Sequence, residues 1–184
     1  RHGDGGAAML REMMTQPNME VLMGNHEQMM LDAAAEGGRS KDLWYYKSGE
    51  KTVFSFLNHK HRFQEFLSWY EAMPYYYTTA KYNCVHACLK DPDPAANDIQ
   101  TLIWSRDTDY SGKLVMTGHT PYRFPIYYLG DQYGRIDEDV WTYLPEKGMI
   151  ALDTGCVYGN RLTGMIITGS RKFLVTSVAS GVKK

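Results

Sequence analysis

Little in this chain marks a secreted, membrane-spanning or nucleic-acid-binding protein. Its three cysteines, Cys84, Cys88 and Cys156, are odd in number and irregularly spaced. That argues against a disulfide framework and for a reducing compartment, which we read as the cytoplasm. No apolar run approaches the roughly 20 residues of a membrane-spanning helix, and no signal-peptide pattern opens the sequence. An excess of one charge is missing as well. The 20 Lys and Arg against 21 Asp and Glu leave a formal net charge of -1, so neither nucleic acid nor an anionic membrane is expected as a partner. There is no internal repeat, no low-complexity tract and no linker. What remains is ordinary: 184 residues, 43% hydrophobic and 22% charged, enough for one domain over residues 1–184 with a substantial core.

The first part of the sequence is patterned for helix and the rest for strand. Asp4 is suited to cap a helix running to about residue 14, which Pro17 stops. Residues 19–23 are predicted to form a short buried strand. A turn at Gly24 follows, then a helix to about residue 35 that Gly37 and Gly38 end. Over residues 51–72, Phe56, Phe63, Phe66, Leu67 and Tyr70 fall near helical spacing, with Pro74 as the break and Trp44, Tyr45 and Tyr46 as a cap before them. Beyond Pro74, residues 75–79 and 82–85 read as adjacent strands joined by a short turn. Residues 90–98 form a loop, 114–116 a short buried strand, and 126–143 a loop or hairpin. Residues 149–152, 161–168 and 172–178 complete the strands, the last two joined at Gly169 and Ser170.

Three histidines follow apolar runs. Gly24-Asn25-His26-Glu27 comes after Val21-Leu22-Met23, His86 after Val85, and Gly118-His119-Thr120 after Leu114-Val115-Met116. An Asn and a His at a strand-to-helix turn are poor core residues but good site residues. The amide offers a neutral oxygen to a cation, and the imidazole is a ligand or a proton donor. Ligands of α/β folds collect beyond the C-terminal ends of strands, so Asn25, His26, His86 and His119 can converge despite their separation. Two imidazoles and an amide oxygen suit Mn, Fe or Zn better than Ca. One histidine in this setting is more often structural; three point to a metal-dependent phosphoesterase.

In this order the motifs, with Trp104-Ser105-Arg106-Asp107 and Leu152-Asp153-Thr154-Gly155-Cys156, resemble the signature of calcineurin-like metallophosphoesterases. Within them, the chain is most similar to the bacterial branch of the phosphoprotein phosphatase family of serine/threonine phosphatases. The resemblance spans nearly the whole chain. It implies an α/β (α+β) fold, a sandwich of mixed β-sheets flanked by helices, with the family's N-terminal strands missing from this sequence. It implies that Asn25, His86 and His119 ligate the second metal of a dinuclear centre. His26 would be the general acid that protonates the leaving alkoxide, and Arg106 would bind phosphate oxygens. Two divalent metals in the complete enzyme, manganese with iron or zinc as alternatives, would activate water for in-line attack on phosphorus. The implied substrate is a phosphoprotein or a small phosphoester. A diadenosine tetraphosphate hydrolase of the same superfamily ranks second, because those relatives usually carry Asp where Glu27 stands.

The family's upstream Gly-Asp-x-His and Gly-Asp-x-x-Asp-Arg-Gly motifs, which supply the first metal's ligands, are not in this sequence. It opens at Arg1-His2-Gly3-Asp4 rather than at Met. Arg1 resembles the surviving Arg of the second motif and would be a further phosphate contact. Against that resemblance, residues 1–184 read as a single metallophosphoesterase domain that is incomplete at its N-terminus. This chain alone is expected to bind at most one metal tightly, and a non-catalytic binding domain is the reading from another class. Oligomeric state stays open, although missing strands would leave sheet edges that favour self-association.

Other signals are weaker. Cys84, His86 and Cys88 would share one face of a continued strand but lack the second pair of a structural zinc site. Asp107, Asp109 and Ser111 mimic an EF-hand start whose twelfth position is Gly118 rather than Glu. His59 and His61 are expected to be solvated, and Cys156 to be a buried thiol with no local base.

Overall fold

The computed structural model describes residues 6–58 and 63–181. Arg1, Asp4, His59 and His61 lie outside the described residues. The chain divides into two compact units, one up to Pro74 and one from Tyr75 onward. The division falls where the hydrophobic pattern changes from helical to extended spacing.

The first unit is helical: α1 (Gly6–Thr15), α2 (Asn25–Glu36), α3 (Gly38–Trp44), a π-helical turn over Tyr45–Gly49, α4 (Glu50–Asn58) and α5 (Phe63–Glu71). Near the start of α1, the N–H of buried Ala7 donates to Ser55 Oγ at 3.0 Å, satisfying one of the donors that a helix start leaves open. Gly37 takes a left-handed φ of 65° and donates its N–H to Ala33 O, the C-terminal device expected of a glycine there. The predicted apolar face of residues 51–72 is realised by two helices. Phe56 of α4 meets Phe66 of α5 edge to face at 4.6 Å, both buried, and Trp44 is buried beside the same block of sequence. The strand predicted over residues 19–23 is absent. These residues run without regular pairing, and Met23, 2% exposed, donates its N–H to Pro74 O at 2.8 Å. The apolar run signalled burial, and the backbone found isolated partners instead of a ladder.

Two sheets make up the second unit. The larger has the order β1-β2-β3-β7-β4-β5, built from β1 (Tyr76–Thr78), β2 (Asn83–Val85), β3 (Val115–Thr117), β4 (Ile126–Leu129), β5 (Gln132–Arg135) and β7 (Met149–Ala151). The run β2-β3-β7 is parallel, and β1, β4 and β5 join antiparallel. The smaller sheet pairs β6 (Thr142–Tyr143) and β8 (Arg161–Ile167) with β9 (Lys172–Ala179).

Strand alternation sorts the core into two layers. Val85, Val115 and Met149 face Leu102 and Ile103 of α6 (Ile99–Trp104). Leu114, Met116 and Ile150 belong to the layer filled by Phe173 and Val175 of the smaller sheet. The unit is thus a sandwich of two sheets with a helix on the outer face of the mixed one, as the fold expectation required. The open choice over residues 126–143 resolves into the β4–β5 hairpin followed by β6. Helix α6 had no predicted counterpart. It is six residues long, too short for periodicity to show, and is held by Asp98, whose side chain accepts the Thr101 N–H at 2.6 Å. Among the described residues no helix is long and apolar enough to cross a membrane.

Candidate functional site

Strands β2 and β3 are parallel neighbours, so their C-terminal ends fall on the same edge of the sheet. His86 follows the first and Gly118-His119 the second. The two connecting loops are tied together: Gly118 N–H donates to His86 O at 2.9 Å, and Ala87 N–H to Leu102 O of α6 at 2.8 Å. Thr120 N–H then donates back to Gly118 O at 2.6 Å, closing a three-residue turn with His119 at its centre. His119 has a φ of 61°, a left-handed backbone that costs a non-glycine residue about 1–3 kcal/mol and persists where the surroundings enforce it.

This clasp sets the side chains. His86 Nε2 lies 3.2 Å from His119 Nδ1, with ring centroids 5.0 Å apart and the edge of Trp104 against His119. Both rings are half-buried. The nitrogen separation suits one imidazole donating to the other. It equally suits two ligands of one cation, because metal–nitrogen bonds of about 2.0–2.1 Å at a tetrahedral angle put the nitrogens about 3.3 Å apart. The two imidazoles therefore fit a transition metal at two of its positions. Among the described residues no group of three or more His, Cys, Asp and Glu side chains gathers within reach of one metal.

Arg106 lies on the loop that leaves α6. Its guanidinium is exposed and donates from Nη1 to Thr120 Oγ1 at 3.4 Å. Arg106, Thr117, Gly118, Thr120 and Tyr122 line one narrow cleft, so the Arg106 guanidinium and the His119 turn border the same space. The sequence motifs give no role to Thr120 or Tyr122. Thr120 stands inside the Thr117-Gly118-His119-Thr120-Pro121 run and could have been found there; nothing in the sequence singled out Tyr122.

Asn25 and His26 open α2 in the first unit. Asn25 is its first residue and is buried; His26 follows and is exposed. Glu27, in the first turn, suits the positive end of the helix. With burial as the larger cause, its carboxylate holds the Tyr70 phenol above the ordinary value.

The expected shared face of Cys84, His86 and Cys88 does not form. Strand β2 stops at Val85, so the alternation that would have aligned Cys84, His86 and Cys88 does not continue. Cys84 packs in the layer of Met116 and Phe173, and Cys88 in the opposite layer with Leu102 and Ile103. Cys88 Sγ donates to Asp107 O at 3.2 Å. Burial pushes both thiols up to about 11, which leaves them protonated at neutral pH. Asp153 shapes a turn: its Oδ1 accepts the Gly155 N–H at 2.8 Å.

Among solved structures the chain is similar to a metallophosphoesterase from Sphaerobacter thermophilus, with a TM-score of 0.56 and 14% sequence identity, covering 93% of this chain and 69% of that one. No family model and no curated protein matches the sequence. The class defined is one of fold: a mixed α/β architecture of the metallophosphoesterase kind.

Proposed function

We propose that this chain is a metal-dependent phosphoric monoester hydrolase whose substrate is a phosphoserine or phosphothreonine protein. The observation that carries the reading is the His86–His119 pair, with ring nitrogens 3.2 Å apart beyond neighbouring parallel strands and Arg106 bordering the same turn. His86 and His119 would hold a divalent metal, with Asn25 as a further ligand on the strength of its motif; manganese is the first choice and iron or zinc the alternatives. Such a metal supplies Lewis acidity, which lowers the pKa of water and stabilises charge on a phosphoryl group.

The side chains of this protein account for the rest. Arg106 offers a planar fork of donors that matches two phosphate oxygens at once, and it carries full charge at any physiological pH. His26, exposed at the start of its helix, is proposed as the general acid that gives a proton to the departing alkoxide. Such a role is worth about 10²–10⁴-fold in rate. On cysteine usage and charge we propose a cytoplasmic setting with neither nucleic acid nor membrane as partner.

A second reading, a binding domain without turnover, draws support from the absence of a third His, Cys, Asp or Glu beside the pair among the described residues. Elemental analysis of bound metal, paired with turnover of p-nitrophenyl phosphate, a phosphoserine peptide and diadenosine tetraphosphate, separates the readings. Hydrolysis favouring the peptide supports the first, and preference for the dinucleotide redirects it to the other hydrolase class. Bound metal without turnover leaves the binding domain. A chain that takes up no Mn, Fe or Zn refutes the metal site.

A further inference from the structure

Arg106 has one hydrogen-bond partner among the described residues, the Thr120 hydroxyl at 3.4 Å. An exposed arginine without such a contact is spread over many rotamers, and little of its charge is aimed anywhere. Thr120 is itself well placed. Its N–H closes the turn around His119, so the hydroxyl is set relative to the imidazole by the shortest possible stretch of backbone. The nearest carboxylate in sequence, Asp107, is occupied by the Ser105 hydroxyl at 2.9 Å and by Lys90 at 3.8 Å. The partner of Arg106 is therefore neutral. A carboxylate in that place would hold the guanidinium equally well but would cancel the charge a phosphate needs, whereas a hydroxyl holds it and leaves the charge intact.

We infer that Thr120 is a positioning residue that aims Arg106 at the phosphate bound beside His119, joining the anion-binding group to the turn that carries a metal-binding imidazole. This rests on the phosphoesterase reading above. Thr120 touches neither the reacting atoms nor the metal; it acts through Arg106. Its removal should weaken phosphate binding without slowing the chemical step.

The test compares the full chain with Thr120→Val, which keeps the branched shape, and Thr120→Ser, which keeps the hydroxyl. Three quantities are measured: KM and kcat on p-nitrophenyl phosphate, the Kd of inorganic phosphate by calorimetry, and the thermal midpoint. Thr120→Val is expected to raise KM and the phosphate Kd roughly three- to tenfold, as fits a partly solvated hydrogen bond to a charged group, with kcat within about twofold and an unchanged midpoint. Thr120→Ser restores both constants. If the Val chain melts early, Thr120→Ala repeats the comparison without the added methyl. Equal KM and Kd in the hydroxyl-free chains, or a Ser chain as weak as the Val chain, overturns the role of Thr120 and leaves the phosphoesterase reading standing. If the unaltered chain neither binds phosphate nor turns over the ester, that reading falls and takes this inference with it.

Discussion

His119 carries a backbone conformation that favours glycine and a side chain that glycine lacks, and the two can be separated by one substitution. His119→Gly relieves about 1–3 kcal/mol of left-handed strain and gives back part of that as unfolded-state entropy. The thermal midpoint should therefore hold or rise slightly while metal affinity falls at least about a hundredfold, measured by competition with a chromophoric chelator. A large drop in midpoint would instead identify the ring as a packing residue. The cysteines make an opposite case, in which chemistry is suppressed. Burial raises Cys84 and Cys88 from 9.0 to about 11. A group whose folded pKa lies above its unfolded one stabilises the fold below the unfolded value and stops doing so as pH climbs through the folded value. Stability should thus decline between about pH 9 and 11. Both thiols should resist iodoacetamide at pH 8 until the chain is unfolded, and rapid native-state alkylation followed by peptide mapping would contradict this.

At the scale of elements, helix α6 links the core to the cleft. It buries Leu102 and Ile103 against the mixed sheet, and its exit loop delivers Arg106. The cap at Asp98 is a single side chain holding a helix too short to persist unaided. Asp98→Ala should lower the thermal midpoint modestly and raise KM for a phosphate ester, because the arginine loop starts from a frayed helix. An unchanged KM would show that the loop is held by its own contacts. The hydrogen bond to the Thr101 backbone N–H keeps the Asp98 carboxyl below its ordinary value. The cap is therefore present above that value and lost as pH falls through the depressed one, so acid should reproduce the substitution.

The same element shows where sequence reading stops. Continuous apolar runs such as Leu114-Val115-Met116 reveal a strand buried on both faces, and a histidine just past such a run points to a strand-end site. Six residues after Asp98 reveal nothing comparable, since one and a half turns hold no period. Residues 19–23 mislead in the other direction: an apolar run reports burial, while a strand also needs a neighbour, and Met23 found Pro74. The alliance of Arg106 with Thr120 was hidden as well. It depends on two loops meeting, which no local pattern encodes.

For the whole chain, the count of ligands governs what metal titration should show. His86 and His119 offer two ligand positions to one cation, and among the described residues no carboxylate joins them. We expect close to one Mn or Zn per chain at saturation by inductively coupled plasma mass spectrometry, with His86→Ala reducing it to background. Two equivalents of tightly held metal would mean that ligands beyond those named take part.

In the larger sheet, β3 lies between β2 and β7, joining residues 83–85, 115–117 and 149–151 side by side. Such long-range parallel pairing closes slowly, and a ribosome presents these segments one after another. The imidazole pair consequently cannot be locked until the third segment has emerged. Nascent chains arrested before residue 149 should fail to retain metal that the released polypeptide keeps.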